Sequence, residues 1–241
     1  MCNNLIDKTV LALDCASKTC SVAVAKGGKV LCSIDTDTMK THSLTLLPSV
    51  KYALELSGLN MDDVEAVAVT SGPGSFTGLK IGVTTAKGLA FPKDLPCAAV
   101  SSMSALAYGC TGFDGIICTS FDARRNMLYN AMFRVWGGRV ERLCEDRQSS
   151  AEEVATEVVS TASALGCKVM LVGDGSDALA SFLEESGLSV VSDSRGVKAS
   201  DIISAVNAGD YTCHSSSTLV PEYLRPSQAE RERNERLSKK S

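Results

Sequence analysis

The stretch VEAVAVTSGPGSFTGLKIGVTTAKGLAFP, residues 64–92, restricts the fold more than any other. It opens with a nearly all-apolar run, Val64 to Thr70, of the kind buried on both faces of a sheet. A glycine-rich turn follows, Gly72-Pro73-Gly74-Ser75-Phe76-Thr77-Gly78, and then a helix is predicted from Leu79 to Phe91. Glycines this dense permit positive φ and close backbone approach. Thr77 is placed to cap the helix, whose first-turn amides are suited to an anion. The turn thus reads either as a phosphate cradle or as a place where another backbone packs closely. It matches none of GxxxxGK[ST], GxGxxG or GxSxG, so close packing is the preferred reading.

The rest of the first half reads as βββα before this unit and βα after it. Three strands are predicted within residues 9–37, the second and third joined by a Gly27-Gly28 hairpin turn. A helix follows from His42 to Leu56, with Pro48 expected in its first turn and Gly58 ending it. A strand from Pro96 to Ser102 and a short helix to Gly109 complete the set. The second half repeats this βββαβαβα order with little residue identity. Asp122 answers Asp14, Gly137-Gly138 answers Gly27-Gly28, and Gly173-Asp174-Gly175 answers Gly72-Pro73-Gly74. The fold class predicted is α/β with two like lobes, residues 1–104 and 105–225. Residues 226–241 are charged, poor in apolar side chains, and read as a mobile tail.

Composition narrows the function. A net charge of −4 gives no general case for nucleic-acid binding. No apolar run reaches membrane-spanning length and no leader is apparent, so a cytoplasmic protein is expected. The 10 cysteines form no CxxC pair and none stands at metal-ligand spacing from His42 or His214. They read as small buried hydrophobes, with no disulfide framework and no metal centre expected. With only those histidines, neither a metal pair nor a Ser-His-Asp triad can be assembled, and His42 reads as a surface or turn residue.

Two sets of candidate residues remain. Leu79, Gly82, Val83, Ala86 and Ala90 make one small-residue face on the helix after the glycine turn. Together with Leu47, Val50 and Leu54 of the preceding helix they are the candidate partner interface, packing on their own sheet being the alternative. The second set, Asp14, Ser17, Gly74, Ser75, Thr77 and Gly78, is the candidate nucleotide or phosphate site, with Asp14 facing a cleft. Arg124 and Arg125 beside Asp122 form a small basic site or an ion pair.

The motifs LALDCASKTCSVAVAKGGKVL, THSLTLLPSV, SGPGSFTGLKIG, FDARRNMLY and PEYLR together resemble the TsaB family, across the chain to about Arg225. That resemblance implies the actin/sugar-kinase/Hsp70-type two-lobed fold. It implies a non-catalytic role, without cofactor or metal, in making N6-threonylcarbamoyladenosine in tRNAs that read codons beginning with A. The implied partners are the catalytic paralogue TsaD and the ATPase TsaE, with tRNA met only through the complex and a homodimer when alone. The dimer seam implied falls on residues 42–56 and 79–91. The family's Asp-Thr-Ser strand end is replaced here by Asp14-Cys15-Ala16, which weakens a nucleotide role. The older glycoprotease label finds no nucleophile–base pair. The competing reading is a nucleotide-binding phosphotransferase or ATPase using Asp14 and the Gly72–Gly78 turn.

Overall fold

The computed structural model describes residues 4–38, 40–184 and 186–224; the expected tail over 226–241 lies outside them. The first sheet contains β1 (Thr9–Asp14), β2 (Cys20–Lys26), β3 (Lys29–Thr36), β4 (Ala66–Gly72) and β5 (Cys97–Ser101). Helix α1 (His42–Leu56) joins β3 to β4, α2 (Phe76–Ala90) joins β4 to β5, and α3 (Ser102–Tyr108) follows. The second sheet contains β6 (Gly115–Asp122), β7 (Met127–Trp136), β8 (Arg139–Arg142), β9 (Arg147–Ser150), β10 (Val169–Val172) and β11 (Val190–Asp193). Its helices are α4 (Ala151–Leu165), α5 (Ser176–Leu183) and α6 (Ala199–Asn207), and β12 (Thr212–His214) comes last.

The repeat is real at the level of topology. One sheet runs β3-β2-β1-β4-β5 and the other β8-β7-β6-β10-β11, with the outer hairpins antiparallel and the inner strands parallel. Both hairpin turns put two glycines at positive φ, 57° and 73° at Gly27-Gly28, 54° and 78° at Gly137-Gly138. That is the geometry that matches strand twist in a two-residue turn. The fold is the two-lobed α/β architecture expected.

Five layers stack in order. α1 and α2 cover the outer face of the first sheet, burying Leu46, Val50, Ala53, Val83 and Ala86 on Leu11, Leu13, Val67 and Val69. α4 and α5 cover the outer face of the second sheet in the same way. Between the sheets lie α3 and α6, which pack on each other and share one apolar core with both inner faces. α6 lies on the first sheet although it belongs to the second repeat, while α3 reaches β6 and β7. β12 then pairs antiparallel with β5 at the edge of the first sheet.

Several boundaries differ from expectation. The central strand is Ala66–Gly72 rather than Val64–Thr70, and α2 begins at Phe76 rather than Leu79. Its cap is Ser75, whose hydroxyl accepts from the Gly78 amide, not Thr77. Pro48 lies inside α1, in its second turn, not in the first. The strands β9 and β12 were not expected; both are short and carry no alternating apolar pattern. Ser150 caps α4 in a reciprocal box with Glu153. Eight described cysteines are free, five of them buried, but Cys213 is disulfide-bonded, contrary to the reading of all ten as plain thiols. Among the described residues no helix is long and apolar enough to cross a membrane.

Candidate functional site

A cleft of about 710 Å³ opens where the two lobes meet at the carboxyl ends of β1, β4 and β6. The first lobe supplies Ser17 and Lys18 after β1, Gly74 to Thr77 at the start of α2, and His42. The second supplies Phe121, Asp122, Arg124, Tyr129 and Asp174. Residues 222–224 run along the rim, where the Glu222 amide donates to the Ser71 carbonyl at 2.7 Å. There the Tyr223 ring stacks 4.6 Å from Phe76. Cations and carboxylates are mixed in the lining, with Lys18 and Arg124 against Asp122, Asp174 and Glu222. Asp174 accepts the Asp122 amide at 2.9 Å, and burial raises its carboxyl above the usual range.

The glycine turn is built for close backbone contact. A Cβ at Gly78 would stand 1.9 Å from the Cys15 carbonyl oxygen, and one at Gly74 2.5 Å from that of Ala16. The Ser75 amide donates to the Ala16 carbonyl at 2.8 Å, so the turn is stitched to the end of β1. Gly72, at φ 138°, meets the Glu222 carbonyl as closely. The matching turn repeats the device, since a Cβ at Gly173 would stand 2.0 Å from the Ser120 carbonyl oxygen. Ser17, Gly74, Ser75 and Thr77 all reach the cleft, while Asp14 and Gly78 do not line it.

Asp14 does not face the cleft as expected. It is fully buried, accepting from the Thr70 hydroxyl at 2.6 Å and the Ala16 amide at 3.2 Å. Its other oxygen has no hydrogen-bond partner among the described residues. Desolvation raises its carboxyl to about 7, against the opposing pull of those two bonds. Asp14 thus sits inside the fold, beneath the cleft lining rather than in it. Asp122 accepts the Arg124 amide at 2.7 Å, and no ion pair joins it to Arg124 or Arg125 among the described residues. Arg124, Arg125 and Asn126 all hold positive φ in the turn beside the cleft.

The face predicted as an interface points inward. Val50, Leu54, Leu79, Val83, Ala86 and Ala90 are each 5% exposed or less and Gly82 is buried, so they bind their own sheet. Of that set only Leu47 is exposed, at 54%. The outward side of α1 carries instead Leu44, Leu47, Tyr52 and Leu56, and Phe91 stands exposed just after α2. Periodicity located the helices but could not rank two apolar faces of one helix.

The structure also joins residues that the sequence kept apart. Cys15, Cys20 and His42 bring two sulfurs and a ring nitrogen within 4.8 Å of one another, although no cysteine stands at metal-ligand spacing from His42 along the sequence. His42 is half-buried, its Nε2 at 3.0 Å from the Ser17 carbonyl. The cleft residues that were not among the candidates are Lys18, Tyr129, Asp174 and the 222–224 rim; Tyr129 and the rim lie in the motifs FDARRNMLY and PEYLR, and Asp174 stands between paired glycines.

A family model described as TsaD: tRNA N6-adenosine threonylcarbamoyltransferase matches residues 34–231. The tRNA threonylcarbamoyladenosine biosynthesis protein TsaB of Bacillus subtilis is 37% identical over 139 residues, 58% of this chain and 61% of its own length. The TsaB protein of Escherichia coli is 35% identical over 136 residues, 54% of this chain and 58% of its own. The match thus spans about three-fifths of these curated relatives. The structure of YeaZ from Pseudomonas aeruginosa superposes with a TM-score of 0.73 at 26% identity, covering 90% of this chain and 100% of that one. Family match, relatives and fold agree: the chain belongs to the TsaD family of tRNA N6-adenosine threonylcarbamoyltransferases, on its TsaB/YeaZ side.

Proposed function

We propose that this chain is a non-catalytic, cytoplasmic subunit for threonylcarbamoyladenosine formation in tRNA, acting by binding a TsaD-type paralogue. The observation that carries this reading is the outward side of α1. Leu44, Leu47, Tyr52 and Leu56 are 66, 54, 58 and 75% exposed on one helix, and Phe91, just after α2, is 75% exposed. Single exposed hydrophobes are ordinary, but a cluster of this kind marks a surface that another protein covers. The same surface would serve a homodimer when the chain is alone. A TsaE-type ATPase completes the assembly, and tRNA is met through the complex. Burial of Asp14 supports the absence of catalysis, because the strand-end carboxylate is held by Thr70 rather than presented to a ligand.

The test is reconstitution of tRNA modification with TsaD and TsaE, with and without this chain, and with Leu44→Asp plus Leu47→Asp. The double variant should stay folded, lose co-elution with TsaD, and lower modification by roughly tenfold or more. Unchanged co-elution would end this reading. A second reading, nucleotide binding in the cleft, is favoured by Ser17, Gly74, Ser75 and Thr77 meeting there. Calorimetry of the isolated chain with Mg-ATP decides it.

A further inference from the structure

Cys15 and Cys20 close the first hairpin. The β1–β2 register pairs Asp14 with Ser21, so positions 15 and 20 are the next to face each other across the strands. Opposed residues of an antiparallel pair put their side chains on one face. That face is the outer one, under the start of α1, and both thiols are 1% exposed. Their sulfurs are 3.9 Å apart. Ligands about 2.3 Å from a tetrahedral zinc ion stand about 3.8 Å from each other. The pair is therefore already at the spacing of one edge of such a site.

His42 supplies the third corner. As the first residue of α1 it brings a ring nitrogen within 4.8 Å of both sulfurs. The Ser17 carbonyl, 3.0 Å from Nε2, can only accept, so Nε2 carries the proton and Nδ1 keeps the lone pair. A ring N–H donated to a backbone carbonyl is the usual outer-shell support of a metal-bound histidine. His42 also lines the cleft, so the third ligand lies at its edge.

We propose that Cys15, Cys20 and His42 bind a thiophilic divalent ion, Zn²⁺, leaving its fourth position to water from the cleft. Two sulfur–metal bonds and one nitrogen–metal bond form, and each sulfur that held a proton releases it to solvent. The ion would clamp the β1–β2 hairpin to the start of α1. This inference is independent of the partner role, since it needs only the isolated chain.

The test uses the full chain, reduced with a phosphine, stripped by chelation, and titrated with Co²⁺ in the absence of air. One Co²⁺ per chain should bind with the thiolate charge-transfer absorption of a tetrahedral site, and Zn²⁺ should displace it. Cys15→Ser and Cys20→Ser should abolish the absorption, while Cys32→Ser and Cys167→Ser leave it unchanged. His42→Ala should weaken binding by more than the roughly 10–100-fold typical of an outer-shell change. If a cysteine variant fails to fold by circular dichroism, His42→Ala decides alone, because that residue is only half-buried. A folded chain without the absorption, or with it undiminished in His42→Ala, overturns the site. So does a reduced, folded protein that takes up no metal under these conditions.

Discussion

Gly78 and Gly88 stand in the same helix with opposite surroundings. A Cβ at Gly78 would collide with the Cys15 carbonyl, which is backbone and cannot swing aside, whereas at Gly88 nothing lies within 4 Å. Gly78→Ala should therefore destabilise the fold by about 1–3 kcal/mol or more through overpacking. Gly88→Ala should stabilise it by about 0.5–1 kcal/mol through helix propensity. Urea denaturation of both variants checks the contrast in sign. Asp174 offers a second test. Burial raises its folded-state pKa above the unfolded value, so its contribution is fully present below the ordinary carboxylate range and is lost as pH rises through the folded value. Asp174→Asn keeps an acceptor for the Asp122 amide and removes this loss. The variant should match the parent near pH 3.5 and exceed it in stability near pH 8, and denaturation at the two pH values measures the difference.

At the scale of elements, α1 and α2 separate what a sequence can tell from what it cannot. Leu47→Asp falls on an exposed position and should leave the folding midpoint nearly unchanged. Val83→Asp buries a charge against β1 and β4 and should unfold the chain, as circular dichroism would show. Apolar period gave both helices within a few residues, yet it assigned Val83 and Ala86 to a partner because small residues suit either a sheet or another helix. The repeat was legible because hairpin glycines and strand-end aspartates mark fixed points of the topology. β9 and β12 were not, being strands of four and three residues whose pairing comes from neighbours rather than from their own pattern. The Cys15–Cys20–His42 cluster was hidden for a related reason. Its spacing along the chain matches no ligand motif, and only the hairpin register and the return of α1 bring it together. The sequence places either Ser149 or Ser150 at the cap of α4; the cap is Ser150, and Ser150→Ala should cost about 0.5–2 kcal/mol in thermal or urea unfolding.

The whole molecule is tied across its middle layer. The Arg195 guanidinium bonds Asp201 of α6 at 2.6 Å and the Leu106 carbonyl of α3 at 3.4 Å, with side chains 18% and 9% exposed for the ion pair. Removing one member of a buried pair strands the other charge, so Arg195→Met should destabilise by about 3–5 kcal/mol, read from chemical denaturation. The crossing of α3 and α6 has a further consequence, in the time domain of synthesis. The first sheet is complete in sequence at Ser101 except for its edge strand, but α6, which covers β1 and β2 on its inner face, comes only at Ala199–Asn207. At roughly 5–20 residues per second, a ribosome needs on the order of 5–20 s to make the intervening chain. Throughout that interval only α3 is available to cover the inner face of the first sheet, so the core of the first half closes after most of the second half has been made.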